Sequence, residues 1–419
     1  MENLKTQRHK LLTLLVLMLV SGTMYKVYFL MDAFYVQMNE FMGLSHTQIG
    51  FIYSVAGWVT QFGFLVAAYL SDKFSKRKMM TFALIANGIT GTIISTYPTF
   101  SVLLVLFCLC AVFTDMMCWP TMLKTIRLLG NKDEQGRMFG FLETGRGVID
   151  TVVSFTALAI FVAMGNNAFG FKCGILFFSA MSILAGILVY ITVEDDNKEE
   201  EKVEENEEKS SSSGLKDIFK DKGVWLVSLN IFTIYCLYSG LKYLVPFLKE
   251  AYDIPLALAS AYGIINMYGL RMIGGPIGGI ISDKVTHSAT KFIRIMFVIS
   301  AVSLGLYTMI PHGVIGVYPI MIISLIISVF IFSMRAIFFA PMDEVRVPKK
   351  LTGAAMSLGS FIGYLPGAFI TIVYGGILDS TPGIAGYKKI FILMTVMAVV
   401  GILLSSLVLK EIKKRQTNE

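Results

Sequence analysis

Long apolar stretches dominate the chain, and short polar stretches separate them. Each apolar stretch has about 20–30 residues, which is enough for an α-helix to cross the roughly 30 Å hydrocarbon core of a bilayer. We therefore predict an all-α membrane protein with twelve membrane-spanning helices. The predicted spans are residues 11–35, 47–71, 77–97, 100–125, 136–164, 168–193, 223–249, 256–282, 289–311, 314–340, 351–378 and 386–409.

A long hydrophilic stretch at residues 194–222 interrupts this pattern in the middle of the chain. Between Glu194 and Glu208 it carries ten acids and two lysines, and a run of serines follows. Such a sequence buries too little apolar surface to offset the entropy lost on ordering, so we predict a flexible or partly helical spacer. The spacer divides the chain into two predicted six-helix bundles, residues 1–193 and 223–419.

Composition agrees with a membrane protein. The chain is 55% hydrophobic and 16% charged, whereas soluble proteins carry about 25% charged residues. The five cysteines fall inside apolar stretches at spacings unlike those of metal sites or disulfide frameworks, so we expect them to be buried as small apolar groups. We predict no metal and no cofactor.

The distribution of basic residues predicts the orientation. Of the 36 Lys and Arg residues, 27 fall at the termini and in the loops that would share their side, and four fall in the loops of the other side. Basic residues favour the cytoplasmic side of a membrane. We therefore predict a multi-pass plasma-membrane protein with both termini and the linker in the cytoplasm. The net charge of +7 then reflects the basic residues that orient the protein in the membrane, and nucleic acid is not a predicted partner.

Two short motifs repeat between the halves. The sequence AYLSDKFSKR ends the second predicted span at residues 68–77, and GIISDK ends the eighth at residues 279–284. Both resemble the signature loop of the major facilitator superfamily, in which Gly stands four residues before Asp-Arg/Lys and Gly-Arg-Arg follows. The second copy keeps Gly279, while the first keeps its charges and has Ala68 and Ser75 in place of glycine.

The resemblance covers the whole chain and implies two six-helix bundles around a central cavity, which opens alternately to the two sides of the membrane. It also implies a cytoplasmic gate at the repeated loops, formed by Asp72, Lys73, Arg77, Asp283 and Lys284. Acids at helix ends can pair with basic side chains or helix N-termini of neighbouring elements. We expect such pairs to form in one state and break in the other.

Within the superfamily, the chain is similar to the branch of organophosphate/phosphate exchangers and organic-anion permeases. The matching residues are Trp119-Pro120, then Gly240 with Pro246 and Lys249, and then the sequence VPKKLTGAA at residues 347–355. That branch binds the substrate phosphate with one Arg in span 1 and one in span 7.

Those two arginine positions fall on Phe29 and Tyr238 in this chain. Lys26 and Lys242 lie about one helical turn away from them. We include Lys26, Lys242 and Tyr238 among the candidate substrate-binding residues.

Ionisable residues inside the predicted spans carry the functional prediction. A charge facing lipid at the bilayer centre costs at least about 2.5–3.5 kcal/mol, so it normally faces a cavity or a partner. In the second half the candidates among them are Lys242, Arg271 and Arg335, and no acid lies inside a predicted span of that half. Arg271 lies about 18 Å along the helix from Asp283. We predict that a substrate anion supplies the missing negative charge.

The first half is mixed in charge. Glu143, Arg146, Asp150 and Ser154 recur at three- and four-residue spacing, so they share one helix face. Arg146 is therefore either held by these acids or available to substrate. Asp115 is either a proton carrier or the partner of Lys26 or Arg146.

These features predict a secondary transporter that moves a small organic anion, either a carboxylate or a phosphorylated or sulfonated compound. We expect a monomer in the lipid bilayer, with a co-transported proton or an exchanged anion as its coupling partner. One alternative is a non-transporting receptor or sensor of the same fold, and another is a proton-coupled exporter. Sequence motifs of enzymes, such as a phosphate-binding G-x-x-x-x-G-K-[ST] loop, are missing from the chain.

The topology can be tested with introduced cysteines. Ser212→Cys and Gly383→Cys should be labelled by an impermeant thiol reagent from opposite sides of the membrane, because the charge bias places these positions in loops of opposite sides. Labelling of both positions from the same side would refute the twelve-span topology.

Overall fold

The computed structural model describes residues 2–129, 135–194, 215–310, 315–348 and 351–417. For residues 2–7, 65, 68–73, 128, 135–137 and 215–217 it describes the backbone alone. Throughout these ranges the regular elements are helices. In chain order they are α1 Glu2–Thr23, α2 Met31–Phe41, α3 His46–Lys73, α4 Lys76–Ile94, α5 Phe100–Ala111, α6 Trp119–Leu129, α7 Gln135–Ala163, α8 Ala168–Thr192, α9 Leu215–Lys220, α10 Lys222–Gly240, α11 Leu244–Tyr252, α12 Leu256–Ile264, α13 Leu270–Ile281, α14 Ala289–Met309, α15 Val317–Ile337, α16 Pro341–Glu344, α17 Thr352–Gly363, α18 Ile370–Ser380 and α19 Ile384–Thr417.

Several helices join end to end into membrane-length rods. In the described part of the chain, nine such helices are long and apolar enough to cross a bilayer. The other predicted spans correspond to α1 with α2, to α3 and to α4. The prediction of an all-helical membrane protein is confirmed. The nine rods are Phe100–Arg127, Met138–Ala163, Ala168–Thr192, Lys222–Tyr252, Leu256–Thr286, Ala289–Met309, Val317–Ile337, Thr352–Ser380 and Ile384–Thr417.

The chain folds into two compact units. The first comprises Met1–Asp196 with Ile254–Gly269, and the second comprises Asn197–Asp253 with Leu270–Glu419. The predicted division at the linker stays a prediction. Residues 195–214 of that linker lie outside the described residues, and the short helix α9 follows them.

A buried amide connects two helices of the first unit with the residue that follows α1. Asn87 on α4 donates from Nδ2 to the carbonyl of Met24 at 3.0 Å and to Oγ of Ser182 on α8 at 3.2 Å. Ser182 Oγ in turn donates to the carbonyl of Leu84 at 2.8 Å. Side-chain hydrogen bonds of this kind hold membrane helices together where lipid offers no competing water.

The first predicted span is broken rather than continuous. Helix α1 ends at Thr23, residues 24–30 form turns, and α2 begins at Met31. A break leaves backbone carbonyls without their helical donor, and such groups must be satisfied internally at membrane depth. The Asn87 amide does this for the carbonyl of Met24. The break therefore lies where a neighbouring helix supplies the missing hydrogen bond.

A second irregularity lies in the rod Phe100–Arg127. Residues Val112–Cys118 form a π-helical stretch between α5 and α6. The N–H of Trp119 donates to the carbonyl of Thr114, five residues back. Pro120 has no N–H with which to continue the regular α-helical pattern. Pro120 thus accounts for the wider turn, and Asp115 lies within it.

Arg415 is the centre of a cluster of hydrogen bonds in the second unit. Arg415 on α19 donates from Nη2 and Nη1 to the two carboxylate oxygens of Asp221, at 2.7 and 3.2 Å. Its Nη1 also donates to the carbonyl of Val345 at 2.7 Å, and its Nε to Glu411 at 3.0 Å. Asp221 additionally caps α10 by accepting from the N–H of Val224. One guanidinium therefore connects three separate segments.

We expect Arg415→Ala to lower the melting temperature by several degrees, because each lost charge-assisted hydrogen bond is worth about 1.5–3 kcal/mol. Partial burial alone would raise the pKa of Asp221, but hydrogen bonds from Arg415 and from the backbone of Val224 lower it. A carboxylate with a lowered folded-state pKa stabilises the fold above its unfolded pKa of about 3.9 and loses that effect as pH falls. The stability difference between wild type and Arg415→Ala should therefore shrink in acid.

Thermal unfolding of the purified protein at several pH values would measure both effects. Lys414→Ala is the matched control, because it removes an exposed positive charge from the same helix turn. Equal melting temperatures for Arg415→Ala and Lys414→Ala would contradict the assignment.

Candidate functional site

Lys26 lies in the break of the first span and is 2% exposed. Its ammonium group is 2.7 Å from Oδ1 of Asp150 and donates to Oγ of Ser154 at 2.9 Å. The Nζ atom also lies 3.5 Å from the centroid of the Tyr268 ring. Two residues of α7 and one ring of Ile265–Gly269 thus surround the charge. The first span and α7 bring together Lys26 and Asp150, which were predicted as candidate site residues.

Small residues explain how Lys26 reaches Asp150. A Cβ on Gly22 would lie 2.6 Å from Cγ2 of Ile149, and a Cβ on Gly145 would collide with the side chain of Met18. The absence of side chains at these two glycines lets α1 and α7 approach closely, which is a common way of packing membrane helices. A larger residue at either position would separate Lys26 from its partner.

Arg146 lies one turn from Asp150 on α7 and is in contact with both acids and rings. Its Nε is 3.8 Å from Asp150 and its Nη1 is 3.6 Å from Glu143, whose side chain is 52% exposed. The guanidinium carbon lies 5.4 Å from the centroid of Tyr25 and 5.1 Å from that of Trp119. These ion-pair distances are longer than those of good charge-assisted hydrogen bonds. Both roles considered for Arg146 therefore stay open.

Asp115 is buried in the π-helical stretch and is held by hydroxyl groups. Tyr25 donates to its Oδ1 at 2.8 Å, and Thr60 on α3 donates to its Oδ2 at 2.7 Å. Among the described residues of its own unit, no Lys, Arg or His nitrogen lies within 4 Å of this carboxylate. The nearest partners of Asp115 are thus two neutral donors. The two alternatives for Asp115, a proton carrier or a partner of Lys26 or Arg146, stay predictions.

In the second unit, Arg335 near the end of α15 is packed against aromatic rings. Its guanidinium carbon is 4.1 Å from the centroid of Tyr238 and 5.5 Å from that of Tyr235, both on α10. The ring of Tyr364 lies 4.6 Å from that of Tyr235. The Nε atom of Arg335 is buried with no hydrogen-bond partner. No carboxylate among the described residues of this unit lies within 4 Å of Arg335.

The other two predicted cations of the second unit occupy different environments. Lys242 is 7% exposed and lies in the 3₁₀ turn Leu241–Tyr243, which interrupts the rod Lys222–Tyr252. Arg271 is partly buried in the first turn of α13. Their predicted contact with substrate stays a prediction.

The predicted gate residues are only partly described. The side chains of Asp72 and Lys73 lie outside the described residues. The guanidinium of Arg77 lies 5.2 Å from the ring centroid of Tyr190. Asp283 and Lys284 are exposed in the π-helical stretch Ser282–Thr286. The predicted role of these residues as a gate stays a prediction.

Two residues near the buried charges were missed by sequence reasoning. Tyr268 stacks on Lys26, and Thr60 donates to Asp115. Both are far in sequence from their partners, and a lone Tyr or Thr in an apolar span gives no periodic signal. In the part of the chain that the structure describes, no group of three or more His, Cys, Asp or Glu side chains could hold a metal ion.

Membrane-length helices in two compact units, with charges buried among them, define a multi-pass membrane protein. Residues 13–371 match the family model described as Major Facilitator Superfamily. The chain belongs to the Major Facilitator Superfamily. The superfamily resemblance is thereby confirmed, and the solved neighbours are transporters rather than enzymes.

Individual relatives agree with this assignment. The chain is 45% identical to inner membrane protein YihN of Escherichia coli (strain K12) over 96% of its own length and 95% of the relative's. It is 28% identical to inner membrane protein YqcE of the same organism over 91% and 90%. A solved bacterial homologue of the human lysosomal transporter Spinster, in an inward-facing and unoccupied conformation, is 14% identical with a TM-score of 0.75, covering 98% of both chains. The last likeness establishes the fold alone.

We expect Asp150→Asn and Lys26→Met each to lower thermal stability strongly, because removing one member of a buried ion pair costs about 3–5 kcal/mol. The double variant Lys26→Met/Asp150→Asn should recover much of this loss, since neither member of the close pair is then left without the other, and Arg146 keeps Glu143 at 3.6 Å. Melting temperatures of the four proteins would measure the coupling, with Ser154→Ala as a control that removes only the hydroxyl contact. Additive losses in the double variant would contradict the pair.

Proposed function

We propose that the protein is a secondary transporter that moves a small organic anion across the plasma membrane by alternating access. The single observation that carries the proposal is the environment of Arg335. This guanidinium lies inside a membrane-length helix against Tyr238 and Tyr235, and its own unit offers no carboxylate within 4 Å among the described residues.

Charge balance makes an anion the natural ligand of Arg335. A cation at membrane depth is costly unless a cavity or a partner compensates it. Cation–π contact with tyrosine rings supplies about 0.5–2 kcal/mol, which is less than a full counter-charge. The planar guanidinium also presents several N–H donors in a fork that matches carboxylate, phosphate and sulfonate oxygens.

The first unit supports a second, weaker contribution to anion binding. Lys26 is neutralised by Asp150 at 2.7 Å. Arg146 is only loosely held, at 3.6 and 3.8 Å, and stands beside Tyr25 and Trp119. Arg146 thus shares the cation-on-tyrosine arrangement of Arg335 and is the first-unit group best suited to contact the substrate. Lys26 then serves mainly to orient α7.

Two alternatives use the same fold. A receptor or sensor would bind an anion without moving it, and a proton-coupled exporter would favour acids over cations in its binding site. The cations near Tyr25 and Tyr238 disfavour the exporter. Binding without uptake into proteoliposomes would favour the receptor.

Arg335→Gln should weaken anion affinity by roughly ten- to a hundred-fold, because a lost charge-assisted contact is worth about 1.5–3 kcal/mol. Arg335→Lys should weaken it less, since the charge remains but the planar fork is lost. Affinity would be measured by thermal shift and calorimetry with gluconate, glycerol 3-phosphate and 2-hydroxyethanesulfonate as representative anions. Uptake of the labelled anion that binds would then be measured in proteoliposomes.

Arg294→Gln is the matched control, because Arg294 is an exposed arginine of the same unit. It should leave affinity and melting temperature as in wild type. A structural role for Arg335 predicts a lower melting temperature with unchanged affinity. That outcome, or wild-type affinity in Arg335→Gln, would refute the anion site.

A further inference from the structure

Asp115 is a buried acid that anion binding does not explain. Its side chain lies in the membrane-length helix Phe100–Arg127 and the residue is 8% exposed. It accepts hydrogen bonds from the hydroxyl groups of Tyr25 and Thr60. Two neutral donors stabilise a carboxylate less than a paired cation does. The ionised form is therefore costly at this depth, and protonation is the simplest way to remove the cost.

The groups that surround Asp115 come from several helices. The broken first span contributes Tyr25 and Tyr28, α3 contributes Thr60, and α7 contributes Arg146 at longer range. Cys118 is the neighbouring titratable group on the same helix. Helix α4, which also packs against the π-helical stretch, presents the apolar ring of Phe82 to Phe113. Among the described residues named here, Arg146 is the one cation, at longer range, and the other groups are neutral.

Tyr25 links this acid to the anion-binding region. Its hydroxyl donates to Asp115, while its ring lies 5.4 Å from the guanidinium carbon of Arg146 and 6.3 Å from the ring of Trp119. When Asp115 is ionised, Tyr25 must donate to it. When Asp115 is protonated, the carboxyl group is itself a donor and the Tyr25 hydroxyl is free to accept or to turn away. The protonation state of Asp115 therefore bears on the position of a ring beside Arg146.

The backbone around Asp115 also departs from a regular helix. The π-helical stretch Val112–Cys118 shifts the side chains of this turn relative to those of an α-helix. Single-turn π-bulges inside α-helices occur frequently at functional sites. This irregularity is an independent sign, alongside the two hydroxyl donors, that Asp115 is more than a packing residue.

We propose that Asp115 is the proton-binding group that couples anion movement to the proton gradient, with Tyr25 as the positioning residue between Asp115 and Arg146. In the binding step, one proton from water on one side adds to a carboxylate oxygen and forms a neutral carboxyl group. The same O–H bond breaks on the other side and returns the proton to water, so no electrons are exchanged. The coupling role depends on the proposed anion transport, whereas proton binding by Asp115 does not.

Proton binding can be tested without knowing the substrate. Infrared difference spectra of the purified full-length protein, recorded between neutral and acidic pH, should contain a carbonyl stretch from a buried protonated carboxyl group. Asp115→Asn should lose this band. Asp253→Asn should keep it, because the side chain of Asp253 is 93% exposed. Persistence of the band in Asp115→Asn would overturn the proton site.

Coupling is tested in proteoliposomes with whichever of gluconate, glycerol 3-phosphate and 2-hydroxyethanesulfonate exchanges across the membrane. For one proton per anion, a gradient of one pH unit should drive about tenfold accumulation by wild type. Asp115→Asn should lose this accumulation, and its anion exchange should no longer respond to pH. Tyr25→Phe, which keeps the ring and removes the hydroxyl donor, should shift the pH at which exchange changes.

The outcomes separate the two proposals. Exchange by wild type without pH-driven accumulation would refute proton coupling and leave anion transport intact. Accumulation retained in Asp115→Asn would likewise refute the role of Asp115. If none of the three anions exchanges, anion transport itself is contradicted, and the infrared spectra still decide whether Asp115 binds a proton.

Discussion

The cost of burying charge at membrane depth governs the arrangement of this protein. Every ionisable group within the spans must find a partner, a ring or a hydroxyl donor, because lipid supplies none of them. Lys26 forms an ion pair with Asp150. Arg335 packs against the rings of Tyr238 and Tyr235. Asp115 accepts hydrogen bonds from Tyr25 and Thr60. These three solutions differ in strength. The ion pair offers a full counter-charge, the tyrosine rings offer a partial one, and the hydroxyl groups offer hydrogen bonds without any counter-charge.

Irregular backbone coincides with three of the buried ionisable groups. Lys26 lies in the break between α1 and α2, Asp115 lies in the π-helical stretch, and Lys242 lies in the 3₁₀ turn of the rod Lys222–Tyr252. Non-helical backbone is tolerated at membrane depth where it is enclosed by protein or lines a cavity. The hydrogen bonds that the break gives up are restored by other helices, as Asn87 does for Met24.

The sequence predicts those parts of this arrangement that depend on residues close together in the chain, and it misses those that depend on contacts between distant helices. The apolar periodicity predicts the helices, and the three- and four-residue spacing of Glu143, Arg146 and Asp150 predicts their common face, because both follow from local geometry. The break at residues 24–30 escaped prediction because it contains neither Gly nor Pro and is fixed by the amide of Asn87 on another helix. The partners of Asp115 escaped for the same reason. Charge complementarity favours a cation there, and only the tertiary packing brings the hydroxyls of Tyr25 and Thr60 to it.

Each unit places an arginine against a tyrosine ring, but the carboxylates near the two arginines differ. Arg146 and Arg335 both lie against tyrosines of the first predicted span of their own half, Tyr25 and Tyr238 respectively. Among the described residues, carboxylates lie within 4 Å of Arg146 in its unit and none lies within 4 Å of Arg335 in its own, so a ligand anion would gain more from Arg335. The proposed proton-binding group is a third acid of the first unit, Asp115, whose nearest partners are the hydroxyl groups of Tyr25 and Thr60. Under the proposed function, the second unit therefore supplies most of the attraction for the anion. Under the proposed proton coupling, Asp115 of the first unit is the group whose protonation makes anion movement depend on the proton gradient.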